Sequence, residues 1–555
     1  MSIGNIVKTA EDFAEKHPLA TLAAFVMVVL SIGTMGMEIT RINIRFAMMT
    51  QEMAGRPIGC FPTINGQPYA DYPVLYNLFS YWTSLGARFL NHFTLSLPTI
   101  LFGCYTIVMT AAIGDRIRPG MGFAAALFSL LSIESLKSFL QFSIDIPVAA
   151  AAVTIVYFLL EYDCSFRALP TYMLSLAAAF AIRGPLGIIL AGAITAGYII
   201  GMRRWKALAV FGIAGAVVAA ACVALAVLAI RLQGGDELLR EVIDWQVSSR
   251  LEGGKIFYYF TNAMGSFALT TVIALIVVLM KRRELADYPL ASLVLWMLVP
   301  MLLLTIPGCK HLRYLSPALP GFALTAAYGY TSGDESRWSK FLDFGISVID
   351  RLICPAMAVV LCGFAVYMLF TPFASLAWYC VGGAAATVLI FLALRKKTGK
   401  MAPVLRIASI GLVGAAMLHP PIEAITENSD RFVNAVETLR RGGLYFFRLG
   451  PDHDDLKYLF HLPNRKRRHA IYLTPHKMAG ASDHSLINRM YPVKAAENVL
   501  PQLDGDDIII TIGKHYKQLV QIAEKCHRQV RIVARGRLGH REALALVLIE
   551  NAGGH

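Results

Sequence analysis

The chain has 555 residues, of which 56% are hydrophobic and 16% are charged, and its mean hydropathy is +0.55. This much apolar surface exceeds what the core of one soluble domain can hide, so the composition excludes an ordinary soluble protein. The formal net charge of +14 is explained in part by basic loops on one side of a membrane, and it is not evidence of nucleic-acid binding. The composition predicts an α-helical polytopic membrane protein.

Thirteen apolar segments are predicted to be transmembrane helices. A helix needs about 20 apolar residues to cross about 30 Å of hydrocarbon, and the charges that flank each segment mark its ends. The first segment is too long for a cleavable signal peptide, and no small-residue cleavage site follows it before Glu38. The predicted spans are 19–37, 93–114, 119–136, 144–161, 168–182, 185–201, 207–231, 263–280, 288–307, 314–330, 351–370, 374–394 and 402–419.

The basic loops predict the orientation. Short loops rich in Lys and Arg face the cytoplasm, and four such loops fall on one side of this arrangement. They are DRIRPG 115–120, GMRRWK 201–206, KRRE 281–284 and RKKTGK 395–400. We therefore expect a cytoplasmic (inner) membrane protein whose outer side carries the loops 38–92 and 232–262, the segment 307–314 and residues 420–555.

Residues 420–555 differ in character from the membrane domain at 1–419. Short apolar runs predict strands in 444–450, 469–475, 507–513 and 529–536, and residues 515–526 have helical spacing. An amphipathic helix at 422–441 is predicted to connect this part to the last span. This stretch is predicted to be a small extracytoplasmic α/β domain. Its basic run 464–469 fits contact with anionic lipid headgroups or phosphorylated acceptors, and a solvated loop is the alternative.

Four charged residues are predicted at the outer membrane surface. Glu38 follows the first span, Asp71 lies in YADYP, Asp145 begins the fourth span, and Arg183 ends another span in AIRGP. Ionisable groups at this depth are costly unless they are paired or face a water-filled cavity, so they are candidates for a functional site. The alternative is a helix-end anchor for Glu38 and Asp145, and an Asx-type turn for Asp71.

Carboxylates and guanidinium groups together suit one particular chemistry. Transfer of a group from a lipid-linked phosphate needs cations to hold the departing phosphate and a carboxylate to take the proton of the acceptor. The carboxylates are Glu38, Asp71 and Asp145. The cations are Arg45, Arg183, Lys310, His311 and Arg313, although the sequence KHLR at 310–313 also fits a simple exposed turn.

An ordered series of motifs runs through the chain. The membrane-domain motifs are RFAMMTQEM 45–53, INGQPYADYP 64–73, SIDIP 143–147, IRGPLG 182–187, WQVSSRLEGGKIFYYF 245–260 and KHLRYLSPALPGFAL 310–324. The soluble part contains LGPDHDDLKYL and ARGRLGHRE. From about residue 20 to the C-terminus, this series resembles the aminoarabinose transferase and protein mannosyltransferase superfamily.

The resemblance implies a type C glycosyltransferase, which takes a sugar from a polyprenyl phosphate of the undecaprenyl type on the outer face. It implies a direct displacement with inversion. The residues expected to be catalytic are Glu38, Asp71 and Asp145. The residues expected to bind the donor phosphate are Arg45, Arg183, Arg250, Lys310 and Arg313. Asp71 is expected to position the acceptor or a divalent metal ion, and no other cofactor is expected.

Two departures from the family pattern concern the first outer loop. Family members usually carry an acidic pair shortly before the arginine that matches Arg45, and here the positions two and three before it are Asn43 and Ile42, so the expected acid is absent. Glu38 lies seven residues before Arg45, which puts both on one face if the helix continues. A second alignment matches Arg41 to the family arginine and Glu38 to the acid. The other departure is Tyr72, which stands where relatives often have a lysine.

The sugar and the acceptor stay open in the sequence. A lipid A phosphate, another envelope glycan and a protein hydroxyl all fit as acceptors, and the enzyme is expected to be a monomer. A transporter or flippase of a lipid-linked or small polar substrate is the alternative class, although the charges gather at one surface and no internal repeat is evident. A scaffold protein is a third alternative, but it would leave these charged residues at the membrane surface without a function.

Overall fold

The computed structural model divides the chain into two compact units. The first unit comprises Met1–Gly36, Asp71–Thr83 and His92–Pro421, and the second comprises Met37–Ala70, Ser84–Asn91 and Ile422–His555. The second unit thus includes stretches of the segment 38–92, which the sequence suggested to be one outer loop. The structure describes residues 16–39, 42–55, 58–64, 66–69, 71–243, 255, 257–308, 310–333, 336–427, 429–449, 470–475, 493–538 and 541–550.

Helices account for most of the described chain, and eight strands accompany them. In chain order the helices are α1 (Pro18–Thr34), α2 (Ile42–Met53), α3 (Leu75–Thr83), α4 (His92–Ile117), α5 (Met121–Ser129), α6 (Ile133–Phe139), α7 (Asp145–Glu161), α8 (Leu169–Arg183), α9 (Pro185–Gly201), α10 (Trp205–Ile243), α11 (Tyr258–Ser266), α12 (Ala268–Met280), α13 (Leu290–Leu303), α14 (Leu319–Tyr330), α15 (Arg337–Leu369), α16 (Ala377–Leu394), α17 (Ala402–Glu427), α18 (Asp430–Leu439), α19 (Ala496–Val499) and α20 (Gly513–Lys525). The strands are β1 (Thr63–Ile64), β2 (Gln67–Pro68), β3 (Leu444–Phe447), β4 (Ala470–Thr474), β5 (Val493–Ala495), β6 (Ile508–Ile512), β7 (Arg528–Leu538) and β8 (Arg541–Glu550).

Every predicted span contains helix, but not every helix is long enough to cross a membrane alone. Among the described residues, five helices pass by length and apolarity, and the number rises to seven if each of two bent pairs is one span. The bent pairs are α5 with α6, at 74°, and α11 with α12, at 112°. These helices agree with a multi-pass membrane protein, whereas the count of thirteen crossings stays a prediction.

Helix α10 corrects the predicted start of the second outer loop. The sequence assigned residues 232–262 to a loop, but the helix continues to Ile243. Gly235 bends it, with a φ of 72° that glycine adopts without strain, and helix-forming residues such as Glu237 and Leu238 resume it.

A helical hairpin and a Gly-Pro turn place the ends of three helices together. Helices α7 and α8 are joined by a short connection and pack side by side, so the first residue of α7 and the last residue of α8 lie at the same end. Gly184, with a φ of 68°, separates α8 from Pro185, the first residue of α9. A Cβ atom on Gly187 would lie 2.2 Å from the carbonyl oxygen of Ala179, so only glycine permits this close approach.

A 3-10 helix, Leu312–Ala318, leads from the α13 side of the unit into α14. The sequence predicted a span from 314 to 330, but Pro317 and Pro320 remove two backbone donors, so the first part is wound more tightly than an α-helix. The indole Nε1 of Trp296 donates to the carbonyl oxygen of Pro317 at 3.1 Å. Trp296 is fully buried, so this bond fixes the 3-10 helix against α13.

The second unit contains a six-stranded mixed sheet in the order β5-β4-β3-β6-β8-β7. The first four of these are parallel, and β8 pairs antiparallel with β6 and β7. Helix α20 covers one face with Leu519, Ile522 and Ala523. The predicted α/β character and the strands around 444–450, 469–475, 507–513 and 529–536 are confirmed.

Candidate functional site

Asp145 and Arg183 form a buried ion pair in the first unit. The guanidinium Nε of Arg183 donates to Oδ1 of Asp145 at 2.8 Å, and each side chain is only 1% exposed. Asp145 is the first residue of α7 and Arg183 the last residue of α8. A helix N-terminus favours a negative charge and a C-terminus a positive one, so both groups stand at the helix end that suits them. This is where the structure places two of the predicted site residues.

The ion pair uses only one arm of the guanidinium. Nη2 of Arg183 and Oδ2 of Asp145 are both buried, and neither has a hydrogen-bond partner among the described residues. Arginine often binds a carboxylate through two parallel hydrogen bonds, and here the second is not formed. One donor and one acceptor of the same buried ion pair therefore have no partner in the described part of the chain.

Arg313 approaches the same carboxylate from the 3-10 helix. Its Nε lies 3.6 Å from Oδ2 of Asp145, too far for a hydrogen bond, and its side chain is 24% exposed. Two guanidinium groups thus face the two oxygens of one carboxylate. The more exposed of the two cations is the one available to an anion from outside.

Two tyrosines enclose the guanidinium of Arg183. Its carbon Cζ lies 5.1 Å from the ring centre of Tyr72 and 5.0 Å from that of Tyr314. Arg313 also lies over Tyr314, at 5.7 Å. Cations over aromatic faces are favourable, and the two rings fix the plane of Arg183. Tyr72 was predicted only as a departure from the family pattern, and Tyr314 was not predicted at all, although each directly follows a charged candidate in the sequence.

Asp71 completes the part of the site that the first unit holds. It is buried and precedes Tyr72, which is buried as well. Burial raises the pKa of Tyr72 to about 12, and the negative charge of Asp71 acts in the same direction. The structure therefore brings four predicted residues together here: Asp71, Asp145, Arg183 and Arg313.

Lys310 is engaged by its own loop. Its ammonium donates to the carbonyl oxygens of Leu304 at 3.1 Å, Thr305 at 2.8 Å and Pro307 at 2.7 Å. An ammonium has three donors, so all of them are used. It also lies 5.6 Å from the ring centre of Tyr259, and desolvation lowers the pKa of Lys310. In this arrangement Lys310 caps the chain after α13. All three N–H groups of its ammonium are bonded to backbone carbonyl oxygens, so none is left to bind the phosphate of the sugar carrier.

Glu38 and Arg45 belong to the second unit, and they do not share a helix. Helix α1 ends at Thr34 and α2 begins at Ile42, so the proposed common helical face of Glu38 and Arg45 is wrong. The helix ends because Gly36 adopts a φ of 71°. Glu38 is half-buried in the segment between the helices. Arg41, on which the second alignment rests, lies outside the described residues.

Arg45 is held by an aromatic partner. Its Nη1 donates to the hydroxyl oxygen of Tyr69 at 2.6 Å, and its Cζ lies 5.4 Å from the centre of the same ring. Glu52 lies seven residues after Arg45 in the same helix, and it is an acid that was not predicted to belong to the site. Its Oε2 accepts from Thr63 Oγ1 at 2.8 Å and from the backbone N–H of Gly66 at 2.9 Å, so Glu52 organises the turn between β1 and β2.

Arg250 lies outside the described residues, so its role as a donor-phosphate ligand stays a prediction. In the described part of the chain, no three His, Cys, Asp or Glu side chains come together as a metal site. The two guanidinium groups at Asp145 disfavour a cation on this carboxylate, and the divalent metal ion expected at Asp71 stays a prediction.

Comparisons with known proteins agree with the predicted resemblance at the level of the fold. No protein-family model matches the chain, and no curated protein matches it in sequence. The helices and the C-terminal sheet together have the architecture of a multi-pass membrane protein with an appended α/β part.

That architecture is the one seen in ArnT, the aminoarabinose transferase. ArnT from Cupriavidus metallidurans bound to undecaprenyl phosphate superposes with a TM-score of 0.68 over 95% of this chain and 98% of ArnT, at 15% sequence identity. The apo state of the same protein gives a TM-score of 0.67 at 16% identity, with the same coverage. Archaeal oligosaccharyltransferase AglB from Archaeoglobus fulgidus gives 0.48 at 10% identity, over 92% of this chain and 72% of AglB.

Proposed function

We propose that the chain is an integral membrane glycosyltransferase, which moves a sugar from a polyprenyl phosphate carrier of the undecaprenyl type to an acceptor. The observation that supports this most directly is the unequal pair of arginines at Asp145. Arg183 is buried on the carboxylate, whereas Arg313 stands 3.6 Å from it and is partly exposed. A lipid-linked phosphate is an anion that suits such a cation.

The fold points to the same class of ligand. The solved ArnT structure of this fold is bound to undecaprenyl phosphate, and it covers nearly the whole of both chains. A fold hosts many activities, so the assignment depends on the site and not on the fold alone. The combination of a buried carboxylate, two guanidinium groups and enclosing tyrosines in this fold supports a phosphate-leaving-group reaction.

The reaction breaks the bond between the anomeric carbon of the sugar and the phosphate oxygen. A hydroxyl or phosphate oxygen of the acceptor forms the new bond from the opposite side, which inverts the configuration. In this proposal Arg313 receives the charge that develops on the departing polyprenyl phosphate, and Arg45 assists it. Arg183 acts through Asp145 as a positioning residue, because its guanidinium is buried against that carboxylate and lies over the rings of Tyr72 and Tyr314.

A carboxylate takes the proton from a hydroxyl acceptor, and Glu38 is the proposed base. Asp71 and Asp145 are the other acids in the proposed machinery. Asp71 lies beside Tyr72 in the first unit and is proposed to help position the acceptor. Lipid A, another envelope glycan and a protein hydroxyl are the acceptors to be compared.

The proposed location is the inner membrane, with thirteen crossings and the C-terminal α/β part on the outer side. The apolar helices and the four basic loops support this arrangement. This orientation can be tested by fusing to the C-terminus a reporter that is active only outside the cytoplasm; we expect the fusion to be active. Activity of a cytoplasm-only reporter there would reverse the proposed orientation.

The function is tested by incubating the purified chain with a panel of undecaprenyl phosphate sugars and candidate acceptors. Release of undecaprenyl phosphate, together with a glycosylated acceptor, is the expected result. Glu38→Gln is expected to abolish the release, and Glu52→Gln is the matched control, because Glu52 holds a turn through its own bonds. Movement of an intact lipid-linked sugar across vesicles without release would favour a flippase.

A further inference from the structure

The unused arm of the Asp145–Arg183 pair has the properties of a small binding site. Arg183 Nη2 and the carboxylate oxygen Oδ2 of Asp145 belong to the same buried ion pair, and neither atom has a hydrogen-bond partner among the described residues. Buried polar groups are nearly always hydrogen-bonded, so an unused donor and an unused acceptor in one ion pair need an explanation. A ligand that hydrogen-bonds to both unused atoms would explain why the protein leaves them without a partner.

The chemistry of the two atoms selects the ligand. It must donate to Oδ2 and accept from Nη2. An ammonium group only donates, an ionised phosphate or carboxylate only accepts, and a divalent cation is repelled by two guanidinium groups. A hydroxyl group does both at once. We propose that Asp145 and Arg183 form a subsite for one hydroxyl group of the substrates; this inference rests on the proposed function and deepens it.

The rigid half of the subsite is Arg183. Its guanidinium lies between the rings of Tyr72 and Tyr314, at 5.1 and 5.0 Å from their centres, and it is held at 2.8 Å on Asp145 Oδ1. These contacts fix the direction in which Nη2 donates. Arg183 is therefore a positioning residue for Asp145 and, through Nη2, one wall of the subsite.

The movable half is Arg313. Its Nε lies 3.6 Å from Asp145 Oδ2 and has no hydrogen-bond partner among the described residues, although the atom is buried. A phosphate offers this guanidinium full hydrogen bonds, which Asp145 does not. When Arg313 turns to the donor phosphate, it uncovers Oδ2. Binding of the carrier phosphate thus opens the hydroxyl subsite beside it.

Two serines near these residues in sequence add to the polar character of the region. Ser143 and Ser316 are buried, and their hydroxyl groups also lack partners in the described part of the chain. Ser143 lies two residues before Asp145, and Ser316 lies three residues after Arg313. Both flank the subsite in the chain.

A hydroxyl beside a carrier phosphate has two sources, the sugar of the donor and the acceptor. A sugar phosphate carries hydroxyl groups next to the anomeric carbon, so binding of the sugar-bearing carrier should exceed binding of the bare carrier. An acceptor hydroxyl would leave the two carriers equal and affect the second substrate instead. The two sources therefore differ in a measurable way.

The experiment compares undecaprenyl phosphate with the undecaprenyl phosphate sugar that the release assay identifies. Affinities for both are measured on the full-length chain in nanodiscs, for wild type, Asp145→Asn and Asp145→Asn/Arg183→Gln. The double variant removes both buried charges, so it keeps the test valid if the single variant unfolds. Asp350→Asn is the matched control, because Asp350 binds Arg406 through two hydrogen bonds, at 2.6 and 2.8 Å.

If the sugar supplies the hydroxyl, the Asp145 variants lose about ten-fold in affinity for the sugar-bearing carrier and keep that for the bare carrier. If the acceptor supplies it, both affinities stay and the KM for the acceptor rises about ten-fold. Unchanged affinities together with an unchanged KM would overturn the subsite while the release assay still supports the transferase. Absence of release from every donor would instead refute the proposed function.

Discussion

Arg183 and Arg313 face the two oxygens of a single carboxylate, that of Asp145, but they are held in different ways. Arg183 is 1% exposed and bonded at 2.8 Å, whereas Arg313 is 24% exposed and stands off at 3.6 Å. Burial and bonding fix the first arginine as part of the protein's interior. Exposure and a loose contact leave the second for an anionic ligand. The following predictions depend on this division.

Removal of the carboxylate alone should cost more stability than removal of the whole ion pair. Asp145→Ala leaves the guanidinium of Arg183 buried without its counter-ion, and we expect a loss of about 3–5 kcal/mol in the free energy of unfolding. Asp145→Ala/Arg183→Leu removes both charges of the pair and should lose less. Thermal unfolding in one detergent measures both. A double variant that unfolds earlier than the single variant would contradict the prediction.

Arg313 and Lys310 should differ in their effect on the carrier, although they are three residues apart. Arg313→Gln removes the more exposed cation of the cluster and should weaken undecaprenyl phosphate binding about ten-fold. Lys310→Gln should leave the affinity unchanged, because three carbonyl oxygens already occupy the ammonium. Titration of the carrier in nanodiscs measures both. Equal losses in the two variants would show that Lys310 leaves its loop to bind the phosphate.

The sequence predicted the apolar helices and the candidate charges because both are local properties. Length and apolarity of a segment indicate a helix in a membrane, and a charge at its end is visible in one window of residues. Strand β8 was missed, since EALALVLIE is rich in residues that favour helices and becomes a strand only through pairing with β6 and β7. The strand conformation of β8 is therefore set by its tertiary pairing and not by its local sequence.

The site needed the structure for a different reason. Asp145, Arg183 and Arg313 are far apart in the chain, and their pairing depends on which helix ends meet. The sequence could not reveal that the ammonium of Lys310 donates all its hydrogen bonds to carbonyl oxygens of its own loop. A common face for Glu38 and Arg45 depended on the first helix continuing through Glu38, whereas that helix ends at Thr34, before the positive φ of Gly36. The backbone conformation of one glycine and the hydrogen bonds of a side chain to backbone carbonyls cannot be predicted from the identities of the residues alone.

The ring of Tyr72 should matter more than its hydroxyl below pH 10. Tyr72→Phe keeps the aromatic face on Arg183 and should retain most of the activity, while Tyr72→Ala exposes Arg183 and should lower it about ten-fold. Sugar release from the active donor, followed at pH 8, measures both variants. If Tyr72→Phe lost as much activity as Tyr72→Ala, the hydroxyl of Tyr72 and not its ring would be the group that activity requires.

The pKa of Tyr72 gives this position a pH dependence. The native pKa is about 12, against an ordinary value of 10, so between pH 10 and 12 the unfolded chain loses a proton that the native chain keeps. The stability that Tyr72 contributes is complete below pH 10 and is lost as pH rises through 12. We expect the Tm of wild type to fall relative to that of Tyr72→Phe from pH 9 to 11. A constant difference would show that the native and unfolded pKa values coincide.

His515 should make the α/β part sensitive to acid. Partial burial lowers the pKa of His515 to about 4, and the positive charges of Arg448, Lys514 and Arg541 act in the same direction. Between pH 6.5 and 4 the unfolded chain therefore takes up a proton that the native chain does not, so stability falls as pH falls. Hydrogen exchange of β6 and α20 in the full-length chain should rise from pH 7 to 4.5, after correction for intrinsic rates.

The matched pair His515→Gln and His527→Gln isolates this effect of a buried histidine. His527 is exposed in the same unit, and its replacement removes an equal side chain without removing a buried one. We expect His515→Gln to reduce the acid-induced rise in exchange of β6 and α20, because the variant has no imidazole to protonate on unfolding. His527→Gln should behave as wild type at each pH. If both variants respond to acid as wild type does, then His515 has the same pKa folded and unfolded, and another group sets the acid sensitivity of the sheet.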